Sequence, residues 1–228
     1  MMISLKNIRK KYGDRMVLEV KDIDFEENSV YAILGPNGSG KSTLLRILAG
    51  VERDFDGQVS SAHNGLSYGD VAYLPQKPYL FDLTVMDNMI LGIKGQNDAQ
   101  AKAFEALKQV GMEDFAKAKM CSLSGGESQR VALARTMVCG CGIILLDEPA
   151  SSVDIKSMRL LEDCISSAVQ KKCTTLIFTT HNPSQALRLA SEVIVLIAGE
   201  IAEKGNPETV LKNTSNAKTS DFLENWRL

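Results

Sequence analysis

The chain has 228 residues, of which 44% are hydrophobic and 24% charged, a composition typical of a globular protein with a sizeable core. Lys and Arg total 26 against 28 Asp and Glu, a net charge of −2, so we expect no nucleic-acid partner, because such binders usually carry a basic excess. No uninterrupted apolar run approaches the roughly 18 residues that span a bilayer, which excludes a membrane-spanning helix. The five cysteines are odd in number and scattered, which favours small, buried, reduced thiols and a cytosolic compartment.

The N-terminal part of the chain predicts short strands around one loop-to-helix transition. Alternating patterns indicate half-buried strands over Ile3–Ile8 and Met16–Phe25. The apolar run Val30–Leu34 predicts a buried strand, and Lys41–Ala49 predicts a helix that ends at a glycine. Another short strand is expected at Val71–Leu74, directly before a proline.

Residues 84–122 are rich in Ala and Lys, include the amphipathic stretch Asp98–Val110 and show almost no strand pattern. We expect a helical subdomain here, inserted between the two parts of an α/β core, 1–83 and 123–228. Strands then alternate with helices, which implies parallel pairing through right-handed crossovers. The predicted elements are a helix at Glu127–Cys139, a strand at Gly142–Asp147, a helix at Lys156–Gln170, a strand at Thr174–Thr180, a helix at Pro183–Ala190 and a strand at Glu192–Ala198. Residues 213–228 are expected to form a loose tail in which Phe222, Leu223 and Trp226 could dock.

The segment Gly35–Thr43 fits the pattern G-x-x-x-x-G-K-[ST] between a buried strand and a helix. Glycines let successive backbone N–H groups turn toward phosphate oxygens, and the helix start adds partial positive charge. Lys41 would reach the β- and γ-phosphates, and the Ser42 hydroxyl would ligate Mg²⁺. A glycine-rich turn with a solvated lysine is the alternative. The predicted nucleotide-binding residues are Gly35, Asn37, Gly38, Ser39, Gly40, Lys41, Ser42 and Thr43.

Two acidic residues, Asp147 and Glu148, end the aliphatic strand that follows the insertion. Ligands of open α/β sheets bind at the carboxyl ends of strands. Asp147 is therefore predicted to hold Mg²⁺, and Glu148 could accept a proton from an attacking water. A simple surface cap is the alternative for this pair.

The segment Leu123-Ser-Gly-Gly-Glu127, followed by Ser-Gln-Arg, resembles the LSGGQ signature of ATP-binding cassette (ABC) ATPases. The resemblance covers essentially the whole chain, 1–228. It implies a single α/β domain with a phosphate-loop NTPase (RecA-like) core, an antiparallel β subdomain and the helical insertion.

The resemblance also implies roles for residues outside the phosphate loop. Tyr12 would stack on adenine, Gln76 would contact Mg²⁺ and the attacking water, and His181 would contact the γ-phosphate. Their alternatives are a surface tyrosine, a plain loop residue and a cap. The residues that would act across a dimer interface are Ser124, Gly125 and Gly126, which would bind the γ-phosphate held by the opposite protomer, and Asp154, which would couple the two sites.

Three positions depart from the usual pattern: Glu127 stands where glutamine is common, Ala150 follows the acidic strand, and Asn28-Ser29 replaces Gly-Glu. Many importer cassettes share the first departure. The resemblance implies that neither of the other two positions touches the nucleotide.

The implied partners are a second cassette, transmembrane permease subunits and, indirectly, a solute-binding protein, with the chain at the cytoplasmic face of the membrane. Phe81–Asn88 resembles the LTV-x-x-N segment of importer cassettes, and several segments most resemble importers of tungstate or molybdate. The predicted function is thus an importer ATPase with ATP and Mg²⁺ as cofactors. A soluble ATPase of the iron–sulfur assembly type and a lipoprotein or efflux ATPase stay open as alternatives.

Overall fold

The computed structural model describes residues 3–61, 70–150, 155–172, 174–224 and 226. Its strands are β1 Ile3–Tyr12, β2 Arg15–Phe25, β3 Val30–Leu34, β4 Asp56–Ser61, β5 Val71–Leu74, β6 Ile143–Asp147, β7 Thr175–Thr179, β8 Glu192–Ile197 and β9 Glu200–Gly205. Its α-helices are α1 Lys41–Leu48, α2 Val85–Leu91, α3 Ala99–Gln109, α4 Gly125–Val138, α5 Ile155–Lys172, α6 Pro183–Leu189, α7 Pro207–Lys212 and α8 Ala217–Leu223. Short 3-10 turns lie at Glu113–Phe115 and Met120–Ser122.

Two sheets organise the described residues. A three-stranded antiparallel sheet has the order β2-β1-β4, and a six-stranded sheet has the order β5-β6-β7-β3-β8-β9. The pairs β5·β6, β6·β7, β7·β3 and β3·β8 are parallel, whereas β9 adds to β8 in the antiparallel sense. The α/β prediction is therefore confirmed, with β7 placed between β3 and β6.

The large sheet is buried on both faces, which explains its almost uninterrupted aliphatic strands. Along β3, Tyr31 and Ile33 pack into one hydrophobic cluster with α1 and the antiparallel sheet. Ala32 and Leu34 point to the opposite face, into a cluster shared with α4, α6 and the helices between residues 85 and 109. The alternation follows from the two-residue period of a strand.

The segment 84–122 contains α2, α3 and the two 3-10 turns. Its packing depends on Asn88, which is fully buried and bonds the backbone of the preceding loop. The side-chain carbonyl of Asn88 accepts from the Phe81 N–H, and its amide donates to the carbonyls of Phe81 and Thr84, at 2.9–3.0 Å. The conformation of the loop before α2 is thereby fixed by a buried amide.

The structure corrects the prediction of a loose tail over 213–228. Residues Ala217–Leu223 form α8, capped by the Asn216 side chain, which accepts from the Thr219 N–H. Thr219 and Leu223 are buried, so this helix packs on the core. The sequence pattern also did not predict the strands β4 and β9 or the helix α7.

The prediction of buried cysteines is confirmed only at Cys164 among the described residues, because Cys139 and Cys141 are half-buried and Cys121 is exposed. Burial raises the pKa of the Cys164 thiol to about 11. Cys173 lies outside the described residues. Among the helices that the structure describes, none is both long and apolar enough to cross a membrane.

Candidate functional site

Three neighbouring strands of the large sheet, β6, β7 and β3, end at one edge of the sheet. The phosphate loop follows β3, the acidic pair closes β6, and His181 follows β7. Parallel strands bring their carboxyl ends to the same edge. The topology therefore brings together side chains from positions more than a hundred residues apart.

The phosphate loop needs glycine at two points of close backbone approach. A Cβ on Gly35 would lie 2.0 Å from the Leu196 carbonyl oxygen, and one on Gly40 would lie 2.8 Å from the Val17 carbonyl oxygen. Both residues also have positive φ, 148° and 104°, which glycine adopts without steric cost. These contacts hold the loop against β8 and β2 while α1 begins at Lys41.

The Lys41 side chain is buried and folds back over its own loop. Its Nζ donates to the carbonyls of Gly35 at 2.8 Å and Pro36 at 3.1 Å. Burial lowers the pKa of Lys41, and the nearby carboxylates of Glu148 and Asp147 oppose that shift. The ammonium is thus positioned at the mouth of the loop, where it would face an anion.

Asp147 is buried and is held by two hydroxyls. Ser42 Oγ donates to Asp147 Oδ1 at 3.0 Å, and Thr179 Oγ1 donates to the same oxygen at 2.7 Å. The Tyr73 hydroxyl also lies near Asp147. The pKa of Tyr73 is raised mainly by burial and, to a smaller extent, by the negative charge of this carboxylate. Ser42 and Asp147, both predicted as magnesium ligands, are therefore in direct contact.

Glu148 adopts a positive φ of 48°, an uncommon conformation for a residue with a side chain. Its N–H donates to Thr179 Oγ1 at 2.8 Å, which stabilises the turn. Its Oε2 lies 2.7 Å from Nδ1 of His181. The Glu148 carboxylate is largely buried, whereas about half of the His181 side chain is exposed. The bond between them therefore joins a buried group to a solvent-accessible one.

Two cavities border this edge. One, of about 380 Å³, is lined by Val17, Gln76, Glu148 and the loop residues Asn37, Gly38, Gly40, Lys41, Ser42 and Thr43. The second, of about 370 Å³, is lined by Gly35, Pro36, Asn37, Gln76, Glu148, His181, Phe222 and Trp226. The structure thus brings together the predicted residues Lys41, Gln76, Glu148 and His181.

Tyr12 lies at the end of β1 and is 44% exposed. Its hydroxyl donates to Glu52 Oε2 at 2.8 Å, and the buried Lys10 ammonium lies 4.8 Å from its ring centroid. Lys10 is itself paired with Glu52 at 3.2 Å and Asp54 at 2.9 Å. The ring is therefore fixed in orientation and still accessible. Tyr12 lines neither of the two cavities described above, so its role toward adenine stays a prediction.

The signature segment lies elsewhere, at the start of α4. Ser124 and Glu127 form a capping box: the Glu127 carboxylate accepts from the Ser124 N–H at 2.8 Å and from its hydroxyl at 2.7 Å. Ser124 and Gly125 are exposed. Of the described residues that line the two cavities, none belongs to Ser124–Gly126. Asp154 lies outside the described residues.

Sequence reasoning missed four residues of this site. Thr179 contacts both acidic residues, Val17 lines the first cavity, and Phe222 and Trp226 line the second. A threonine that ends an apolar strand two positions before His181 is a detectable pattern. The other three residues reach the site through tertiary packing.

Comparison with known proteins identifies the family. The family model for ABC transporter matches residues 18–151. The tungstate uptake system ATP-binding protein TupC of Peptoclostridium acidaminophilum is 36% identical over 89% of this chain and 98% of its own length. The spermidine/putrescine import ATP-binding protein PotA of Marinobacter nauticus is 34% identical over 97% of this chain, which spans only 62% of that relative.

The fold has close counterparts among solved structures. The dimeric, post-hydrolysis ATP-binding cassette MJ0796 bound to ADP and Pi superposes with a TM-score of 0.82 at 28% identity, over 90% of this chain and 98% of that one. A shared fold, a matching family model and relatives above 30% identity agree with the geometry of the phosphate loop and acidic pair. The chain therefore belongs to the ABC transporter family, as one of its nucleotide-binding, ATP-hydrolysing cassettes.

Proposed function

We propose that this chain is the ATPase subunit of an import system, in which two cassettes close over ATP and drive separate membrane-spanning subunits. The observation that carries the proposal is the edge where Lys41, Asp147, Glu148 and His181 meet, in a chain that resembles an uptake subunit over 89% of its length. The chain would sit at the cytoplasmic face of the membrane through its partners.

The residues of the edge fit a magnesium–nucleotide complex. Mg²⁺ prefers oxygen ligands, and the Ser42 hydroxyl and Asp147 carboxylate offer them side by side; Gln76 is a third ligand in this proposal. When bound, the ion would neutralise charge on the transferring phosphoryl group. Among the described residues, none forms a hydrogen bond with the buried Ser39 hydroxyl, and a phosphate oxygen would provide a partner.

The protein groups divide the work of hydrolysis between them. Lys41 exchanges its bonds to loop carbonyls for bonds to the β- and γ-phosphates, and backbone N–H groups of the loop bind the remaining oxygens. Glu148 accepts the proton of the attacking water, because its carboxylate lines the cavity of the phosphate loop, whereas Ser42 binds that of Asp147. His181 holds the Glu148 carboxylate and contacts the γ-phosphate, while Gln76 orients the water.

Closure of the site needs a second cassette in this proposal. Ser124, Gly125 and Gly126 begin a helix whose free N–H groups suit an anion, yet they lie outside the cavity walls of their own chain. A two-fold dimer places this segment of one chain over the phosphate loop of the other. Asp154 would couple the two sites.

The docking surface for the membrane subunits would be the loop before α2. Tyr79 is 72% exposed, and Phe81 packs edge-on against it with ring centroids 5.1 Å apart. Asn88 fixes the backbone of Phe81, and Arg135 donates to the Tyr79 carbonyl at 2.7 Å. A rigid, exposed aromatic pair beside the Gln76 segment is suited to a protein partner.

For the transported substrate we propose an oxyanion of the tungstate kind, supplied by a solute-binding protein. The support is a relative that matches 89% of this chain and 98% of its own length, the tungstate uptake protein. Selectivity would reside in the other subunits, since the edge described here binds only nucleotide.

The test is purification of the tagged chain from membranes in mild detergent, with identification of the bound proteins. We expect a polytopic membrane protein, lost when Tyr79→Ser and Phe81→Ser are combined and kept in Val51→Ser, which alters an exposed apolar residue far from this loop in the chain. ATP binding should persist in all variants. Recovery of an iron–sulfur assembly protein instead would overturn the import proposal and leave the ATPase assignment intact.

A further inference from the structure

Two aromatic side chains border the hydrolysis site, Phe222 of α8 and Trp226 beyond the end of that helix. The second cavity has the loop residues Gly35, Pro36 and Asn37 on one side, and Phe222 and Trp226 complete its lining. Glu148 and His181 line the same space. Aromatic side chains from the end of the fold thus border the space in which the proposed site would hold the terminal phosphate and the attacking water.

Contacts with the core fix the position of this helix. Asn216 Nδ2 donates to the Ala202 carbonyl at 2.7 Å, and its Oδ1 accepts from the Thr219 N–H at 3.3 Å. Leu223 is buried, and the Trp226 N–H donates to its carbonyl at 2.7 Å. The backbone of Trp226 is therefore bonded to the end of a capped helix that packs on the core.

Trp226 contacts the histidine of the site. Its ring centroid lies 6.0 Å from that of His181, with the ring planes inclined by 44°. His181 is bonded to Glu148 through Nδ1, but half of its side chain is exposed. Glu148 and Trp226 together restrict the imidazole, since a side chain held at one atom alone keeps rotational freedom.

We propose that Trp226 is a positioning residue for ATP hydrolysis: with Phe222 it forms an aromatic wall that holds His181 against Glu148 beside the phosphate loop. The inference rests on the proposed hydrolysis site. Trp226 acts through His181 on the chemical step, so its removal affects kcat and leaves ATP binding at Lys41 and the loop unchanged. An autoinhibitory wall that must leave before the second cassette docks would have the opposite effect on kcat.

The experiment measures kcat and KM for ATP in the full chain. We expect Trp226→Ala to lower kcat about fivefold with KM for ATP within about twofold, and Trp226→Phe to restore most of kcat, because an aromatic wall remains. Phe104→Ala, which removes an exposed aromatic on α3, serves as the matched control and should leave both parameters unchanged. A kcat that rises in Trp226→Ala would establish autoinhibition and overturn the proposal, as would an unchanged kcat.

A spectroscopic readout separates positioning from general stability. Trp226 is the one tryptophan of the chain, so its emission reports on this contact directly. Because an imidazole close to an indole quenches it, His181→Ala should increase the emission, and the Phe104→Ala control should leave it unchanged. Unaltered emission in His181→Ala would show that the rings do not meet. If Glu148→Gln hydrolyses ATP normally, the site proposal fails; if only the Trp226 variants behave as wild type, this inference alone fails.

Discussion

Two regions of the molecule differ in how their polar groups are held. One is the phosphate edge, which consists of the loop Gly35–Thr43 and the carboxyl ends of β6 and β7; the other is the signature segment Ser124–Gly126. At the phosphate edge, the buried Asp147 of β6 accepts from Ser42 of α1 and from Thr179 of β7. The buried Lys41 ammonium bonds the carbonyls of its own loop. At the signature, Ser124 is exposed, and the bonds described for it stay within the first turn of α4, to Glu127 and to the Ser128 N–H. The first is assembled by the fold of one chain, whereas the second presents its donors to solvent.

The difference shows which contacts position the polar groups of each region. Buried polar groups need partners, so the phosphate edge is held in place before any nucleotide arrives. An exposed helix start can satisfy part of its N–H groups with local side chains. Here the Glu127 carboxylate accepts from the Ser124 N–H, and the Ser124 hydroxyl accepts from the Glu127 N–H. Bonding to Ser124 lowers the pKa of the Glu127 carboxyl, which keeps it charged near neutral pH at the position where we propose that a phosphate binds.

The largest effect is expected for a substitution that removes the proposed catalytic base and keeps the shape of the side chain. Glu148→Gln removes the proposed base, and we expect turnover to fall by about 10²-fold or more, the usual range for general bases. ATP should still bind, so a dimer should accumulate with ATP on size-exclusion chromatography. Adding Ser124→Arg should abolish that dimer. Normal turnover in a monomeric Glu148→Gln would contradict both the base and the two-cassette arrangement.

The second prediction concerns the residue that organises the edge. Thr179→Val keeps the shape but removes the hydroxyl that donates to Asp147 and accepts from the Glu148 N–H. Asp147 keeps Ser42 as a donor, whereas the buried Glu148 N–H loses this acceptor, which costs about 1–3 kcal/mol of unfolding free energy. We expect a lower midpoint in urea denaturation and about tenfold slower turnover, estimated from that same loss. Thr179→Ser retains the hydroxyl and should keep most of both. Wild-type stability in the valine variant would show that these two bonds are dispensable.

The third prediction tests whether stacking of the adenine base on Tyr12 contributes to ATP binding. Tyr12→Ala removes the proposed stacking surface, and KM for ATP should rise about fivefold to tenfold, since aromatic–base stacking contributes about 1–3 kcal/mol. Glu52→Gln should raise KM less, because the ring remains and only its orientation loosens. These parameters come from steady-state kinetics. Equal KM for ATP in all three proteins would exclude Tyr12 from nucleotide binding.

The smallest effect is expected at the signature. Glu127→Gln removes the negative charge that accepts hydrogen bonds from Ser124. In the Glu148→Gln background, the ATP concentration needed for half-maximal dimerisation should therefore fall about twofold to threefold. Like charges at close range repel modestly in exposed sites, which sets this small size. Ser128→Ala, one residue further along α4, is the control. A higher ATP requirement in Glu127→Gln would mean that the carboxylate assists the dimer.

Local patterns carried most of the fold and of the phosphate edge. The run Val30–Leu34 followed by the glycine-rich loop predicts strand, turn and helix together, because each piece restricts the backbone of the next. The predicted strand Gly142–Asp147 is observed as Ile143–Asp147, and the predicted helix Pro183–Ala190 as Pro183–Leu189. Elements with mixed burial, such as β4 and β9, lack a clear period and were missed.

The error at 213–228 has a physical cause. The segment is polar, and only Thr219 and Leu223 of α8 are buried, too few for a visible helical period. Asn216 caps the helix through its side chain, and asparagine before a helix is a recognised start. The capping pattern was present in the sequence, but the surface that receives the helix was not.

By itself the sequence determined the chemistry of this protein, because a phosphate loop, an acidic strand end and a signature segment each act through residues that are neighbours in the chain. Only the tertiary structure decided which side chains meet. The order β6-β7-β3 places Thr179 against both acidic residues, and the packing of α8 brings Trp226 to His181. Such contacts depend on strand order and on buried surface shared by distant segments, and no local period of the sequence encodes either.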